Sequence, residues 1–152
     1  VVSCWLIIMG KKRIVKKDGG AVDQGLKSRS LAKSPKKKVV SGILYVESTY
    51  NNTKVTLADK SGNVLIWSSS GALGFKGAKK GTPFAASKIG DLVGEKAIMI
   101  GVKEVDVVVI GVGSGRESAI RSFSARGIEL GMIRDMTPVP HNGPKPKKPR
   151  RI

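Results

Sequence analysis

Short β-forming runs separated by turn sequences follow a polar, basic stretch over residues 11–41. Three such runs cover residues 43–49, 54–58 and 64–67. In the second run the larger apolar side chains alternate with smaller ones, which is the period of a strand with one buried face. Asn51-Asn52 and the segment 59–63 carry residues that favour tight turns. This pattern predicts a three-stranded antiparallel meander.

The hydrophobic period changes to that of a helix after a glycine-rich segment. Residues 70–81 contain four glycines and are predicted to form an irregular loop. Thr82 is then a favourable N-cap, Pro83 a favourable first helical residue, and Gly101 a favourable C-terminal cap. Apolar residues at helical spacing, which we expect to face the core, are Ala85, Ile89, Val93, Ala97 and Ile100.

A strand–helix–strand unit is predicted next. Residues 105–110 form a continuous apolar run, typical of a strand buried on both faces. Ser114 and Glu117 have the spacing of a capping box, which predicts a helix from there to about Arg126. Residues 128–134 form a fifth β-forming run. The order indicates an α/β fold with a mixed five-stranded sheet, an antiparallel meander followed by α-β-α-β, with helices packed on it.

The positive charge is concentrated in the two tails. The 152 residues include 28 Lys and Arg against 11 Asp and Glu, a net charge of +17. Residues 1–41 hold eleven of these basic residues, and residues 135–152 hold five in a much shorter stretch. We therefore predict a basic N-terminal extension over residues 1–41, an α/β RNA-binding domain over 42–136, and a basic, proline-rich arm over 137–152. Such basic tails usually bind a polyanion.

Composition also excludes several classes of protein. One cysteine and one histidine leave no disulfide framework and no cysteine- or histidine-rich metal site, and we expect no cofactor and no catalysis. The first nine residues are apolar but far shorter than the roughly 20 that span a membrane. Met9 is the expected natural start, with residues 1–8 an upstream extension. The basic stretches lack the amphipathic pattern of membrane-surface helices, so the expected partner is nucleic acid and not a membrane.

Three lysines lie in the glycine-rich segment between Gly74 and Gly81. Lysines meet phosphates as point charges, and glycines allow a close approach of backbone to backbone. We therefore expect Lys76, Lys79 and Lys80 to contact phosphates. For Phe75, stacking on a base and anchoring of the loop in the core are about equally expected.

The segment Gly111-Val-Gly-Ser-Gly-Arg116 resembles a dinucleotide-binding fingerprint, because it follows a buried strand and opens a helix. Its third glycine comes one residue early, and no second nucleotide-binding half follows. A nucleotide-binding enzyme is therefore the weaker alternative, and a free RNA chaperone or nucleoid-type protein is another. We expect the helix start beside Arg116 to attract an RNA phosphate. For Arg121 and Arg126 on the same helix, a solvated surface is a serious alternative to RNA contact.

Several blocks of sequence together resemble one family. They are Ser-Thr-Tyr-Asn-Asn-Thr at 48–53, Trp-Ser-Ser at 67–69, Gly-Phe-Lys-Gly at 74–77, Gly-Thr-Pro-Phe-Ala-Ala at 81–86, and Arg-Asp-Met-Thr-Pro-Val-Pro-His-Asn-Gly at 134–143. Standing in this order, they are similar to the universal ribosomal small-subunit protein eleven family in its bacterial-type form. The chain departs from the family at Val112, where a proline is usual, and at Gly90 and Gly94, where helix formers are usual.

The resemblance implies a fold, a role and a location. The implied fold is a three-layer α/β/α sandwich with a mixed five-stranded sheet. The implied role is that of a structural constituent of the small ribosomal subunit that binds 16S-type rRNA on the platform, bridging RNA helices near the mRNA exit and the Shine–Dalgarno cleft. Small-subunit proteins seven and eighteen would be neighbours, with mRNA nearby and no small-molecule substrate. The expected location is a cytoplasmic ribosome, with an organellar ribosome as the alternative.

The basic segments and the matched motifs together give a set of residues that we expect to contact RNA. They are Asn51, Asn52, Lys54, Gly74, Phe75, Lys76, Gly77, Lys79, Lys80, Gly113, Arg116, Arg121, Arg126, Arg134, His141, Asn142, Gly143, Lys145, Lys147, Lys148, Arg150 and Arg151.

Overall fold

The computed structural model of the chain describes residues 38–145 together with residues 147 and 148. Nearly all of the predicted N-terminal extension, including the expected start at Met9, lies outside the described residues. Arg150 and Arg151, near the end of the predicted C-terminal arm, also lie outside them. The predicted α/β domain is described in full.

Every strand and helix predicted from the sequence pattern is present. The elements are β1 (Ser41–Ser48), β2 (Thr53–Asp59), β3 (Val64–Ser69), α1 (Pro83–Ile100), β4 (Glu104–Ile110), α2 (Arg116–Ser124) and β5 (Glu129–Asp135). A short 3-10 helix, Gly77–Gly81, lies within the segment that was predicted to be an irregular loop. None of the helices in the described part of the chain is long and apolar enough to cross a membrane.

The strands form one mixed sheet in the order β3-β2-β1-β4-β5. β1 pairs with β2 and β2 with β3 in the antiparallel sense, as the predicted meander requires. β1 pairs with β4 and β4 with β5 in the parallel sense. The prediction of an α/β fold built on a mixed five-stranded sheet is therefore confirmed.

The layering differs from the three-layer arrangement that the family resemblance implied. Ala119 and Phe123 of α2 belong to the same buried cluster as the α1 side chains and the inward side chains of β1. Both helices therefore pack on one face of the sheet, so the described residues form two layers. The reason lies in the connections: β3 to β4 and β4 to β5 both advance in the same direction along the sheet. Right-handed crossovers of this kind place their helices on the same side.

The alternation of side chains along the strands defines the core. In β1, Leu44 and Val46 are fully buried under the helices, and the intervening residues are half-buried on the opposite face, which we call the open face. β4 lies between two strands, and even its open-face residue Val108 is only 8% exposed, although Asp106 and Ile110 there are half-buried. The five α1 residues predicted to face the core are all buried.

The ends of α1 follow the predicted local chemistry. The side chain of Thr82 accepts a hydrogen bond from the Ala85 N–H at 3.3 Å, and Pro83 is the first helical residue. At the other end, Gly101 adopts a left-handed conformation with φ of 95°, and its N–H donates to the carbonyls of Ala97 and Ile98. These caps satisfy backbone groups that would otherwise have no partner within the helix.

The start of α2 was predicted wrongly. The helix begins at Arg116, and its N-cap is Gly115, which makes no side-chain capping bond. Ser114 Oγ instead donates to the Gly81 carbonyl at 3.0 Å, and Glu117 pairs with Arg121. A tertiary contact with the segment before α1 therefore replaces the predicted local capping box. The helix also ends two residues earlier than predicted.

Candidate nucleic-acid interface

The topology brings most of the predicted RNA-binding segments to one edge of the sheet. β1, β3, β4 and β5 run parallel to one another, so their carboxyl ends share an edge. Four segments leave the sheet there: the turn 49–52, the segment 70–82, the turn 111–115 and the chain after residue 135. We call these four segments the loop edge. Both helices also begin there, so their positive dipole ends add to its attraction for anions.

The turn 49–52 is held rigidly by its own hydrogen bonds and by its neighbour. Thr49 N–H donates to the Asn52 carbonyl at 2.9 Å, and Asn52 Oδ1 accepts from Ser70 Oγ at 2.5 Å. Asn51 and Tyr50 are left exposed, and the Tyr50 side chain, at 80%, is the most exposed large apolar residue in the described chain. Tyr50 was not among the predicted site residues. The signal that could have identified it is an aromatic residue inside a polar tight turn.

The lysine-rich segment is anchored by an aromatic pair. The ring of Phe75 meets that of Phe84 edge-on, with centroids 6.1 Å apart, and Phe75 is partly buried against the core. This geometry favours anchoring over base stacking for Phe75. Gly74 and Gly77 adopt left-handed conformations, with φ of 89° and 61°. The backbone can therefore fold tightly around the anchor while the lysines between them and α1 point outward.

The lysines of this segment carry unneutralised charge. Lys76 and Lys79 are exposed and Lys80 is half-exposed. Within the described range, no carboxylate forms an ion pair with any of the three. Three ammonium groups without a carboxylate partner among the described residues thus lie within five residues of chain, and such a cluster attracts phosphates at long range.

Two further lysines lie close by but have partners. Lys54 Nζ is 3.4 Å from Glu47 Oε2 on the neighbouring strand. Lys88, in the second turn of α1, lies 3.9 Å from Asp91 Oδ2 and 5.6 Å from the centroid of the Phe84 ring. Lys88 was not predicted. Its position one turn after the lysine-rich segment was the available signal.

The turn 111–115 does not offer a free cradle for a cofactor phosphate. Gly113 and Gly115 are buried, and the Gly113 N–H donates to the Ser48 carbonyl at 2.9 Å. The Gly111 N–H donates to Thr137 Oγ1 at 3.1 Å. A Cβ atom at Gly113 or Gly115 would overlap Thr49 or Thr53. The glycines are therefore needed for packing against β1 and β2, and the dinucleotide-binding alternative loses its structural basis.

Asp135 joins the start of α2 to the start of the C-terminal arm. Its carboxylate accepts hydrogen bonds from the Thr137 side chain at 2.5 Å and the Thr137 N–H at 2.9 Å, and it forms an ion pair with Arg116. These bonds, those from Thr137 first, lower the pKa of Asp135. Arg116 is thus fixed in place at the helix start, with its charge partly neutralised. Neither Asp135 nor Thr137 was predicted as a site residue.

Acidification tests this junction. Because the pKa of Asp135 is lower in the folded than in the unfolded chain, its contribution to stability is present above the ordinary value of 3.8 and is lost as pH falls through the folded-state pKa. We expect the Thr137 amide signal in NMR to shift with a midpoint below pH 3.8. Asp135→Asn should abolish that transition. A midpoint at or above 3.8 would contradict the described geometry.

The remaining predicted arginines lie away from the loop edge or already have partners. Arg121 is 83% exposed and pairs with Glu117 one turn earlier on α2. Arg126 pairs with Asp91 and Glu95 of α1, at 3.2 and 3.1 Å. The ion pairs of Arg126 thus connect the segment after α2 to α1. Arg134 lies on β5 beside Val108, exposed on the open face of the sheet.

Beyond Thr137, the described residues of the C-terminal arm are exposed. His141, Gly143, Lys145, Lys147 and Lys148 are all exposed, as is Asn142, which has a φ of 51°. No helix or strand forms after residue 135 in the described part of the arm. The arm and the lysine-rich segment thus both leave the sheet at the loop edge, the arm after β5 and the segment after β3.

Comparison with known proteins identifies the family. The profile of the family described as "Ribosomal protein S11" matches residues 42–151. The "Small ribosomal subunit protein uS11" of Thermosipho africanus (strain TCF52B) is 50% identical over 125 residues, covering 82% of this chain and 97% of that protein. The protein of the same name from Rippkaea orientalis (strain PCC 8801 / RF-1) is 52% identical over 120 residues, covering 79% and 92%. The chain therefore belongs to the ribosomal protein S11 family.

Proposed function

We propose that this chain is a structural constituent of the small ribosomal subunit that binds 16S-type rRNA through its loop edge and its C-terminal arm. The observation that carries the proposal is that Lys76, Lys79 and Lys80, just before the start of α1, have no carboxylate partner among the described residues. Catalysis has no part in it. The relatives of the chain are named as small-ribosomal-subunit proteins, which supports the same role.

The proposed binding works by neutralising phosphates and by fitting a rigid edge against folded RNA. The lysine-rich segment and the arm supply charge, and the turn 49–52 supplies Asn51 and Tyr50 as exposed polar and stacking groups. The proposal assigns a smaller part in RNA binding to four arginines. Three of them already form ion pairs and the fourth lies on the open face of the sheet: Arg116, Arg121, Arg126 and Arg134. Phosphate contacts of this kind orient a protein on RNA without reading its sequence.

The finer location follows from the family resemblance and is part of the proposal. The loop edge would sit on the platform of the small subunit, bridging RNA helices near the mRNA exit and the Shine–Dalgarno cleft. Small-subunit proteins seven and eighteen would be neighbours. The domain 42–136 would fit against the folded surface of the RNA, and the basic tails would extend from the domain into the RNA.

Replacing Lys76, Lys79 and Lys80 with Ala should weaken incorporation into small subunits by roughly ten- to a hundredfold at moderate salt. Each lost phosphate contact lowers the log–log salt slope by about 0.7 to 0.9, so the slope should fall by about 2. The measurement is competition between variant and wild-type chains during reconstitution of small subunits from 16S-type rRNA and small-subunit proteins, at several salt concentrations. The melting temperature should change little, because exposed side chains rarely affect stability.

The matched control removes the same charge from the opposite edge of the sheet. Lys38, Lys60 and Lys103 are exposed and lie before β1, after β2 and after α1. Their triple Ala variant should incorporate nearly as well as the wild type. Equal losses in the two triple variants would mean that net charge alone drives assembly, as in a free RNA chaperone, and that the loop edge is not a specific surface.

A further inference from the structure

β5 leaves one side of the sheet without a partner strand. Among the residues that the structure describes, it is the last strand in the order and pairs with β4 alone, and it is almost entirely exposed. The Glu129 N–H donates to the carbonyl of Lys103, just before β4, and the Met136 N–H donates to that of Val109 in β4. Backbone groups alternate between the two sides of a strand, and the pairing of β4 with β5 shifts register once, between Val105 and Val107. The backbone groups of Leu130, Ile133 and Asp135 therefore point toward the free side. Such an edge is a template for a further strand.

A groove runs along this free edge, between β5 and α2. Its volume is about 940 Å³, and its apolar floor is formed by Ile120, Leu130 and Ile133. Ile133 is 58% exposed, although isoleucine is usually buried. The residues whose backbone faces the free edge are thus also those whose side chains line the groove. An added strand could pair with β5 and place alternate side chains in the groove.

The charge of the groove indicates the class of partner. Its rim carries Arg116 paired with Asp135 and Arg121 paired with Glu117, so the lining is electrically neutral. On a chain of net charge +17, a neutral apolar surface suits protein and not a phosphate backbone. A second copy of this chain would bring two strongly basic molecules together, which charge repulsion opposes.

We propose that β5 and the α2–β5 groove bind an extended segment of another small-subunit protein, which adds as a sixth strand and carries apolar side chains at alternate positions. Main-chain hydrogen bonds would give such a contact its affinity, and the groove would give it side-chain specificity. This surface meets the loop edge only at one end, where Gly113 and Ser114 line the groove, and its apolar part lies along β5 and α2. The proposal rests only on the assembly of the chain into small subunits.

Site-specific crosslinking in assembled particles tests the proposal. A photo-crosslinking benzoylphenylalanine replaces Ile120 in the full chain, and the crosslinked peptide is identified by mass spectrometry. We expect one peptide from another small-subunit protein, with apolar residues at alternate positions. In the same particles, hydrogen exchange of the peptide covering residues 129–136 should be slower than in the free chain. A crosslink to rRNA, a crosslink to a second copy, or unchanged exchange would overturn the proposal.

A pair of variants separates this contact from RNA binding. Ile133→Lys should reduce the crosslink at least tenfold, whereas Val64→Lys, on the opposite edge strand β3 and similarly exposed at 59%, should not. Both variants should still enter particles, so failure of the groove is distinguishable from failure of rRNA binding. If a thermal melt shows that Ile133→Lys does not fold, Ile133→Thr keeps the β-branched shape and should still reduce the crosslink. An undiminished crosslink in the folded variant would refute the proposal.

Discussion

Replacing Gly90 with Ala is expected to lower the free energy of unfolding by about 2 kcal/mol, although alanine is the better helix former. A Cβ atom at Gly90 would overlap the backbone carbonyl oxygen of Ala119 on α2. Backbone atoms of a packed helix cannot move aside singly, so α1 and α2 must separate. The cost of that overpacking exceeds the roughly 1 kcal/mol that alanine gains in helix propensity.

Gly94→Ala is the matched control for this prediction. Its Cβ atom would meet the side chain of Arg126, at 2.9 Å from Cγ, and no backbone atom within 3.4 Å. A change of the Arg126 rotamer moves Cγ away at the expense of its ion pairs with Asp91 and Glu95, and the Cβ contact at 3.3 Å needs a shift of only a few tenths of an ångström. We therefore expect a loss of about 1 kcal/mol, smaller than that of Gly90→Ala. Urea denaturation followed by circular dichroism measures both variants. A Gly90→Ala protein as stable as the wild type would contradict the close packing of the two helices.

The fold was predictable wherever local chemistry decides the structure. Thr82, Pro83 and Gly101 fixed the ends of α1 because a helix needs caps whatever surrounds it. The alternation in β1 and β2 identified the meander because each strand has one buried face. Contacts between distant segments were not predictable in this way: Ser114 bonds to Gly81 and not to the start of its own helix.

The two glycines of α1 show the same limit. In the sequence, Gly90 and Gly94 are costs to helix stability, and nothing near them in the chain explains their presence. In the structure Gly90 allows α2 to approach α1 closely on the same face of the sheet, and Gly94 leaves room for the side chain of Arg126. The glycines are therefore explained by the packing of both helices on one face of the sheet, which the sequence pattern does not show.

The candidate site was predicted in part, and its unpredicted members share a feature. Lys76, Lys79 and Lys80 were identified from composition, since a cluster of cations among glycines is visible in the sequence. Asp135 and Thr137 were not, because their role is to join two loops that lie far apart along the chain. The sequence therefore predicted where positive charge is concentrated, and the structure adds which charged side chains have an ion-pair partner among the described residues.

Deleting residues 144–152 is expected to reduce incorporation into small subunits by at least about a hundredfold while leaving the thermal melt unchanged. The deleted segment holds five basic residues, so the log–log salt slope should fall by about 4. Lys145, Lys147 and Lys148 are exposed and, within the described residues, form no ion pair. Losing them should therefore remove RNA contacts without removing packing.

A variant of full length separates charge from chain length. Replacing the same five basic residues with Gln keeps every proline and should lose incorporation about as severely as the deletion. Normal incorporation of the Gln variant, with a defective deletion, would mean that the arm acts by shape. Normal incorporation of both would reduce the arm to a solubility tail.

The size of the expected effect follows from where the arm begins. Thr137 is bonded to Asp135 and to Gly111, so the arm leaves the loop edge from a fixed point. Once the domain is docked, the arm's cations meet neighbouring phosphates at a high effective concentration. Thr137→Val removes the side-chain bonds without removing charge, so it should give a smaller loss of incorporation with an unchanged salt slope. A loss equal to that of the deletion would place the function in the junction and not in the cations.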